Sequence, residues 1–583
     1  MKTLLLRISI GLLSVIFLTS GALAAEDPAK DITESVIAGP GSISISTNKD
    51  IMMSFGATAR IIPVMETDFD FGMDDTVPYF ESVPINGFLG GNLPDDFFKI
   101  HVNESGAVNY NYIRSEVKLH FNALPKDRKW SFYAALEFDR PLDTASVDER
   151  GGKTFASSNF GLERLHGTYQ LPWNMRFHAG FDIWGVDVVD GGGLVYGDDN
   201  PGFWLTGDYD NLSFNVGYFK LSENNFFDKS VLASGAGFDF NDFGGKNDDR
   251  DLYGGYLTFT PAEGQKIQPF YMFDRIRDVP NGSLLDAFLV SGAEAEAERK
   301  GESFTDPRAT PDINSHHIGA YYTGKFGPLE LFLEGVYQFG EAEDTRMNAI
   351  DENYYNDYDI SAYALAGDVA VDLKEQVGFG FKPHLGVMYT SGDDDPTDDE
   401  LSGYTGVESA QRFSQYWGGE NTIIGDTNFA LGSVLYGYIP ELYGNGTPVF
   451  TGGLENFAGA GNGRGDNPGM TMTSAGITVT PKRFLIFKSN VNSFWWNEDI
   501  NVVSFVDGET PTTVESGYTG TEWDNEITLA TSRQSFIKTH FSFFFPGEVI
   551  EDVTSALTTT PLGPGKQSDD TAIRLGMEFI WNF

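Results

Sequence analysis

Three features of the sequence predict an all-β protein, a transmembrane antiparallel up-and-down β-barrel of about 18 strands (16–18), with long external loops and short periplasmic turns. The first is an odd–even sorting of apolar and polar residues, repeated in segment after segment. The second is an alternation of very short turns with much longer polar stretches. The third is the final segment, Thr571 to Phe583. There Ile573, Leu575, Met577, Phe579, Trp581 and Phe583 share one parity. Ala572, Arg574, Gly576, Glu578 and Asn582 share the other, with Ile580 the bulky exception. Successive side chains of a strand point to opposite faces, so this segment has an apolar face and a polar one. A strand that ends the chain inside a bilayer needs a neighbour for its edge, and closure supplies it. An edge strand of a soluble sandwich is the competing reading.

The N-terminus argues against the sandwich. Lys2 and Arg7 flank an apolar run from Ile8 to Leu18, and Ala22-Leu23-Ala24 offers a small-x-small cleavage site. That is a secretory signal peptide over 1–24, followed by a periplasmic N-terminal leader over 25–50 that serves as a short plug or pairing arm. Beyond it no run approaches the ~18 apolar residues of a membrane helix. The 583-residue chain holds 48 Phe, 25 Tyr and 67 Gly, a bias that suits strands with aromatic girdles. It has no cysteine, which excludes disulfides, thiolate metal sites and covalent c-type haem. A net charge of −45 argues against nucleic acid, whose phosphates call for Lys and Arg.

A single barrel is expected over 51–583. Ile51 to Ile62 reads as the first strand. In Tyr112 to Phe121, Val117, Leu119 and Phe121 oppose Arg114, Glu116, Lys118 and His120. Trp130 to Phe138 follows after a turn containing Pro125. Glu163 to Tyr169 pairs with Met175 to Ile183, where Arg176, His178 and Asp182 share a face. Phe203 to Tyr209, Leu212 to Leu221, Leu252 to Thr260 and Ile267 to Arg275 continue the pattern. So do His316 to Phe326, Leu329 to Phe339, Ser361 to Leu373 and Gly378 to Thr390. Pro383 marks an entry end or a bulge, because proline cannot donate to a ladder. Thr471 to Thr480, Phe484 to Trp496, Glu522 to Thr531 and Ser535 to Phe545 lead to the last strand. Long loops are expected near 68–104, 224–251, 278–314, 341–359 and 393–469. The last is long enough to fold into the lumen and to carry an irregular strand near Phe429 to Tyr438.

From Leu329-Glu-Leu-Phe-Leu-Glu-Gly-Val-Tyr-Gln-Phe-Gly onward the chain resembles the alginate-export family of bacterial outer-membrane barrels. Tyr389-Thr-Ser-Gly-Asp-Asp-Asp-Pro396, Gly520-Thr-Glu-Trp-Asp-Asn-Glu-Ile-Thr-Leu529 and Ser542-Phe-Phe-Phe-Pro-Gly-Glu-Val-Ile550 carry the likeness, which covers residues 315–583. The resemblance implies a monomeric barrel whose lumen carries an anionic polysaccharide or small polar solutes. A polyanion conduit calls for a basic lumen, and this chain is strongly acidic. The conflict softens where acids sit in loops, as in Asp68–Asp75, Asp239–Asp251 and Asp393–Glu400.

The polar parity nominates a charge-lined lumen. Its candidate pore-lining residues are Arg114, Glu116, Lys118, His120, Arg164, Arg176, His178, Asp182, Arg275, Lys382, His384, Arg533, Lys538, His540, Arg574 and Glu578. Glu137, Glu330, Glu334 and Glu526 accompany them. Charge rings set selectivity in pores. The bland alternative is that facing charges neutralise one another along the wall. Asp393, Asp394 and Asp395 form a candidate Ca²⁺ site, although the twelve-residue calcium-loop spacing is missing and a solvated external loop is the favoured reading. No other cofactor is expected. His316 and His317 are strand neighbours and point to opposite faces. Neither Gly-x-Ser-x-Gly nor His-Glu-x-x-His occurs, so no enzyme is expected.

The expected function is an outer-membrane channel, porin or exporter, passing hydrophilic solutes, with anionic saccharides among the candidates. Its partners are outer-membrane lipid, a small polar solute or polysaccharide, and the barrel-assembly machinery acting on the strand that ends at Phe583. One alternative is a barrel enzyme of protease or lipase type, with His166 near Asp208 or Asp210. The other is a structural partner of periplasmic electron carriers.

Overall fold

The computed structural model describes residues 43–48, 50–68, 71–72, 110–141, 161–186, 194–222, 250–277, 312–343, 355–395, 398–407, 423, 467–503, 511–559 and 563–583. The signal peptide expected over 1–24, most of the expected leader, the strand expected near Phe429 to Tyr438 and much of the expected long loops lie outside them.

A short strand, β1 (Ile43–Asn48), folds back onto the start of β2 (Ile51–Thr67), so this part of the leader is a pairing arm. Then come β3 (Tyr110–Pro125), β4 (Trp130–Pro141), β5 (Gly161–Gln170) and β6 (Met175–Gly185). β7 (Gly197–Tyr209), β8 (Leu212–Ser222), β9 (Arg250–Phe259) and β10 (Gln265–Ile276) follow. β11 (Asp312–Phe326) and β12 (Leu329–Glu343) turn on Gly327, whose φ of 61° needs no Cβ to be accommodated. β13 (Tyr358–Val371) reaches β14 (Gly380–Thr390) through a one-turn helix, α1 (Lys374–Val377). The remaining strands are β15 (Glu400–Leu401), β16 (Met470–Lys482), β17 (Leu485–Trp496), β18 (Ile500–Val503), β19 (Pro511–Val514), β20 (Gly517–Ala530), β21 (Ser535–Pro546) and β22 (Ala572–Asn582). A second helix, α2 (Glu548–Thr558), precedes the last of them.

Antiparallel pairing runs from each long strand to the next, bridging β14 to β16 and β17 to β20. It closes where Thr58 to Thr67 of β2 meets Asn582 to Ile573 of β22. The result is a closed barrel of 18 strands. β1, β15 and the β18–β19 hairpin stand outside the ring, and β15 adds in parallel to the end of β13. Below Phe583 the edge of β2 is taken over by β1, so the seam keeps its hydrogen bonds.

Burial separates two faces. Leu333, Leu365, Leu385 and Val387 project outward, Leu385 with 63% of its surface exposed, while polar side chains on the opposite parity are buried. On β12 the outward row from Leu329 to Phe339 is apolar, and it turns acidic at Glu341. Ten residues at ~3.3 Å each, tilted by ~40°, give a band about 25 Å tall, the height of an outer-membrane barrel's lipid-facing belt. Tyr, Phe and Trp edge it at both ends, among them Tyr169, Phe326 and Trp581 at the short-turn end and Tyr337 and Phe339 at the other. Among the described residues no helix is long and apolar enough to cross a membrane.

Every expected barrel strand is present, and most extend further at the long-loop end than alternation alone predicts. Ile580 points inward and packs with Ile486, Ala530 and Phe536 as a small apolar cluster. Pro383 lies at an entry end: β14 pairs with β13 only from His384 onward.

Candidate functional site

The inward parity carries a nearly continuous ladder of opposite charges. Lys325 on β11 and Lys382 on β14 converge on Glu330 of β12, at 2.8 and 2.6 Å. Lys488 on β17 and Lys538 on β21 flank Glu526 of β20, at 3.9 and 3.7 Å. Lys538 also lies 3.7 Å from Glu578 on β22. Across the seam, Arg60 of β2 donates to Glu578 at 2.7 Å and to Glu116 of β3 at 2.6 Å. Lys118 then meets Glu137 on β4 at 3.1 Å and Glu163 on β5 at 2.8 Å. Arg164 lies 3.6 Å from Asp182 of β6. The run ends in a chain of rings, Asp182 to His166, His166 to His178, and His178 to Thr206 of β7, each step 2.9 Å. Trp204 stacks on both imidazoles.

A bulge assists this arrangement. Ala135 pairs with Arg164 but Leu136 with Leu162, which leaves Glu163 as the extra residue. Glu163 and Arg164 therefore both turn inward, as an added residue in one strand allows. Two imidazoles use missing side chains instead. His384 spans from Asp368 to Asn490, 2.7 Å each way, across Gly476. His540 lies over Gly576, where a Cβ would come within 1.8 Å of its Nε2. Gly576→Ala should therefore destabilise the barrel by about 1–3 kcal/mol, the usual cost of overpacking. Denaturant unfolding in lipid vesicles measures it, and a change below half a kcal/mol would mean that His540 swings aside freely.

In most of these pairs the cation is more exposed than its acid. Arg60 keeps 15% of its side chain exposed against 2% for Glu578, Lys382 38% against 28% for Glu330, and Lys488 32% against 19% for Glu526. Lys538 against Glu526 is nearly level. Arg574 and Glu66, bonded at 2.9 Å, are both buried.

The long-loop half of the interior is filled differently. Segments 194–196 and 404–407 lie inside the barrel, with Leu194, Val195, Tyr196, Tyr404 and Val407 in the main apolar cluster. Wall residues of that cluster include Trp184, Phe219, Leu252, Phe270 and Met272. Within the 393–469 loop, residues 404–407 thus enter the lumen. On the β20–β22 side, Val549, Ile550 and Val553 of α2 complete the same cluster with Phe71 and Phe544.

Of the candidates, Glu116, Lys118, His120, Arg164, Arg176, His178, Asp182, Lys382, His384, Lys538, His540, Arg574 and Glu578 lie on the inward parity, as does the exposed Arg114. Arg176 is held by Thr168 and Gln170, at 3.0 Å each. Two placements need correction. Arg533 sits exposed in the short turn between β20 and β21, outside the wall. Arg275 faces outward beside Tyr271 and Phe273 and pairs with Asp251 at 3.2 Å, because Gln268, Phe270, Met272 and Asp274 form the inward row of β10. The aspartates of the calcium candidate do not converge: Asp393 is buried, while Asp394 and Asp395 are exposed. Partial burial and the charges of Asp394 and Asp499 push the Glu498 carboxyl above its ordinary range. Among the described residues no group of three or more His, Cys, Asp or Glu side chains is placed to hold a metal. His166 pairs with Asp182, not with Asp208 or Asp210. Arg60, Glu163, Lys488 and Asp368 were missed as candidates. Arg60 and Lys488 stood legibly on the polar parity, whereas Glu163 required the bulge.

No protein-family model matches the chain, and no curated protein matches it. The alginate-export resemblance therefore has no family match behind it. The chain is similar at low levels to several solved porins. OccK2 (OpdF) of Pseudomonas aeruginosa is 10% identical, with 91% of this chain and 97% of that one covered and a TM-score of 0.42. A BenF-like porin from Pseudomonas fluorescens Pf-5 is also 10% identical, covering 91% and 99%, at 0.44. The P. aeruginosa OccK2 structure in complex with glucuronate is 11% identical, covering 91% and 98%, at 0.41. The closed barrel described above rests on this chain's own strand pairing.

Proposed function

We propose that the chain is an outer-membrane channel, a porin or exporter, that passes hydrophilic solutes with a preference for anions. Sugar acids are the substrate class that this preference and the alginate-export resemblance favour together. The observation that carries the reading is the exposure order in the ladder. In most pairs Lys and Arg are more exposed than their acids, which supports a lumen that presents positive charge although the chain as a whole is acidic. Cationic linings pass anions. The apolar outer band places the barrel in lipid, and β22 with its terminal Phe583 is the segment we assign to the assembly machinery. Selection is electrostatic, with no covalent step. The chain from Asp182 to Thr206 lies mid-wall on the inward face, away from the outer rim where a barrel enzyme of the expected kind would keep its acid, His and nucleophile.

Purified protein in a planar bilayer should give discrete conductance steps, and a KCl gradient should give a reversal potential on the chloride side. Lys382→Glu with Lys488→Glu should move that potential toward potassium. Absence of conductance steps would sink the channel reading. Cation preference in the unaltered protein would leave a channel but remove the anion assignment. Liposome swelling with a sugar acid against its neutral parent sugar tests the substrate class.

A further inference from the structure

The inserted segments are fastened to the wall by their backbone. Glu334 of β12 accepts a hydrogen bond from the Leu194 N–H at 2.7 Å. Gln338, two pleat repeats further along the same face, accepts from the Thr405 N–H at 3.0 Å and donates to its hydroxyl at 3.2 Å. His317 of β11 reaches the Thr405 carbonyl with Nε2 at 3.2 Å. Arg250 of β9 donates to the Val407 carbonyl at 3.0 Å and is itself gripped by Asp274 of β10, at 2.7–3.2 Å. All of these wall groups are buried.

The two segments are also tied to each other. The Tyr404 hydroxyl donates to the Leu194 carbonyl at 2.8 Å, and the Val407 N–H donates to the Val195 carbonyl at 2.7 Å. They therefore form one unit. A chain crossing the interior without a ladder partner leaves backbone polar groups that must be bonded or remain costly. Here four inward side chains from β9, β11 and β12 supply the bonds that a neighbouring strand would otherwise make.

We propose that Arg250, His317, Glu334 and Gln338 are the positioning residues that hold segments 194–196 and 404–407 inside the barrel and thereby set its bore. This rests on the channel reading for its consequence, but the holding itself is separable. The rival account is that apolar contacts of Val195, Tyr196, Tyr404 and Val407 suffice, with the polar groups merely satisfied in passing. The two accounts part when a wall group is replaced by an apolar one of similar size. Apolar burial is then kept and the backbone bond is lost.

The native chain has no cysteine, so Val407→Cys provides a single thiol on the inserted unit, at a residue whose hydrogen bonds all run through its backbone and whose apolar contacts change equally in every variant compared. The full-length protein in vesicles is treated with a small charged thiosulfonate reagent. In the Val407→Cys background, Arg250→Met or Gln338→Leu should speed labelling at least tenfold. Glu334→Leu should do the same, whereas Glu334→Gln, which keeps the acceptor oxygen, should label as slowly as the parent. Heat-modifiable migration on gels confirms for each variant that the barrel is closed. If one variant fails that check, the others and the Glu334→Gln comparison still decide. Labelling within twofold of the parent in closed barrels would overturn the proposal. Bilayer recordings read the consequence: released variants should conduct at least twice as much per step. Faster labelling with no current in any variant would leave the fastening in place and remove the channel reading.

Discussion

Leu365→Arg should destabilise the barrel in lipid by about 2–4 kcal/mol, while Ser361→Arg, four residues nearer the rim on the same outward face, should cost at most about 1 kcal/mol. Leu365 is 53% exposed on β13, opposite Gly335 and Tyr389, in the middle of the apolar band. Ser361 lies beside Phe339 and the Tyr337 hydroxyl, where the band gives way to charge. In water the two substitutions would be nearly equivalent, because an exposed leucine replaced by arginine on a soluble sheet loses little. In a bilayer the arginine at 365 must snorkel or drag water toward the midplane, whereas the one at 361 reaches the interface at once. Denaturant unfolding in vesicles, followed by tryptophan fluorescence and by heat-modifiable migration, measures both. Equal costs would mean that the outward face does not meet lipid, and the membrane reading would fail with them.

The same band explains which parts of the architecture could be read from residue order. Outward positions from Leu329 to Phe339, or from Phe579 to Phe583, are apolar because they face one uniform solvent, so alternation stands out wherever the inward neighbours are polar. Near the rim that contrast disappears. Glu341, Glu343, Asp312 and Asp359 are outward yet charged, and the ladder of hydrogen bonds continues beneath them unseen. Alternation therefore ends the strands short on that side. Residue order puts Arg275 on the wrong face for a related reason. The inward row of β10 includes Phe270 and Met272, packed against the inserted segments, so both parities of the strand are rich in apolar residues. Partners were beyond reach altogether. Arg60 and Glu578 lie 518 residues apart and meet only because the barrel closes. The fastening of the inserted loop leaves little trace in the loop itself, since the wall addresses mainly its backbone, with Thr405 the one loop side chain it also bonds.

The closure that joins those distant residues also creates the site most sensitive to charge. Glu578 is 1% exposed and receives Arg60 Nη2 at 2.7 Å and Nε at 3.2 Å, with Lys538 at 3.7 Å and His540 at 3.6 Å. Glu578→Leu should cost about 3–5 kcal/mol, because it takes the shared acceptor from the half-buried Arg60 and Lys538 and the buried His540. Arg60 would keep Glu116 and Lys538 would keep Glu526, so part of the loss is absorbed and the upper end of that range is a ceiling. Adding Arg60→Met should restore part of the stability, with a coupling of about 0.5–3 kcal/mol between the two positions. Function should move the other way. The single Glu578→Leu variant leaves an extra positive charge facing the lumen and should strengthen anion preference in a KCl gradient, while the double variant should return it toward the parent. A single variant with unchanged stability and unchanged reversal potential would show that Glu578 neither balances the seam nor shapes the field in the lumen.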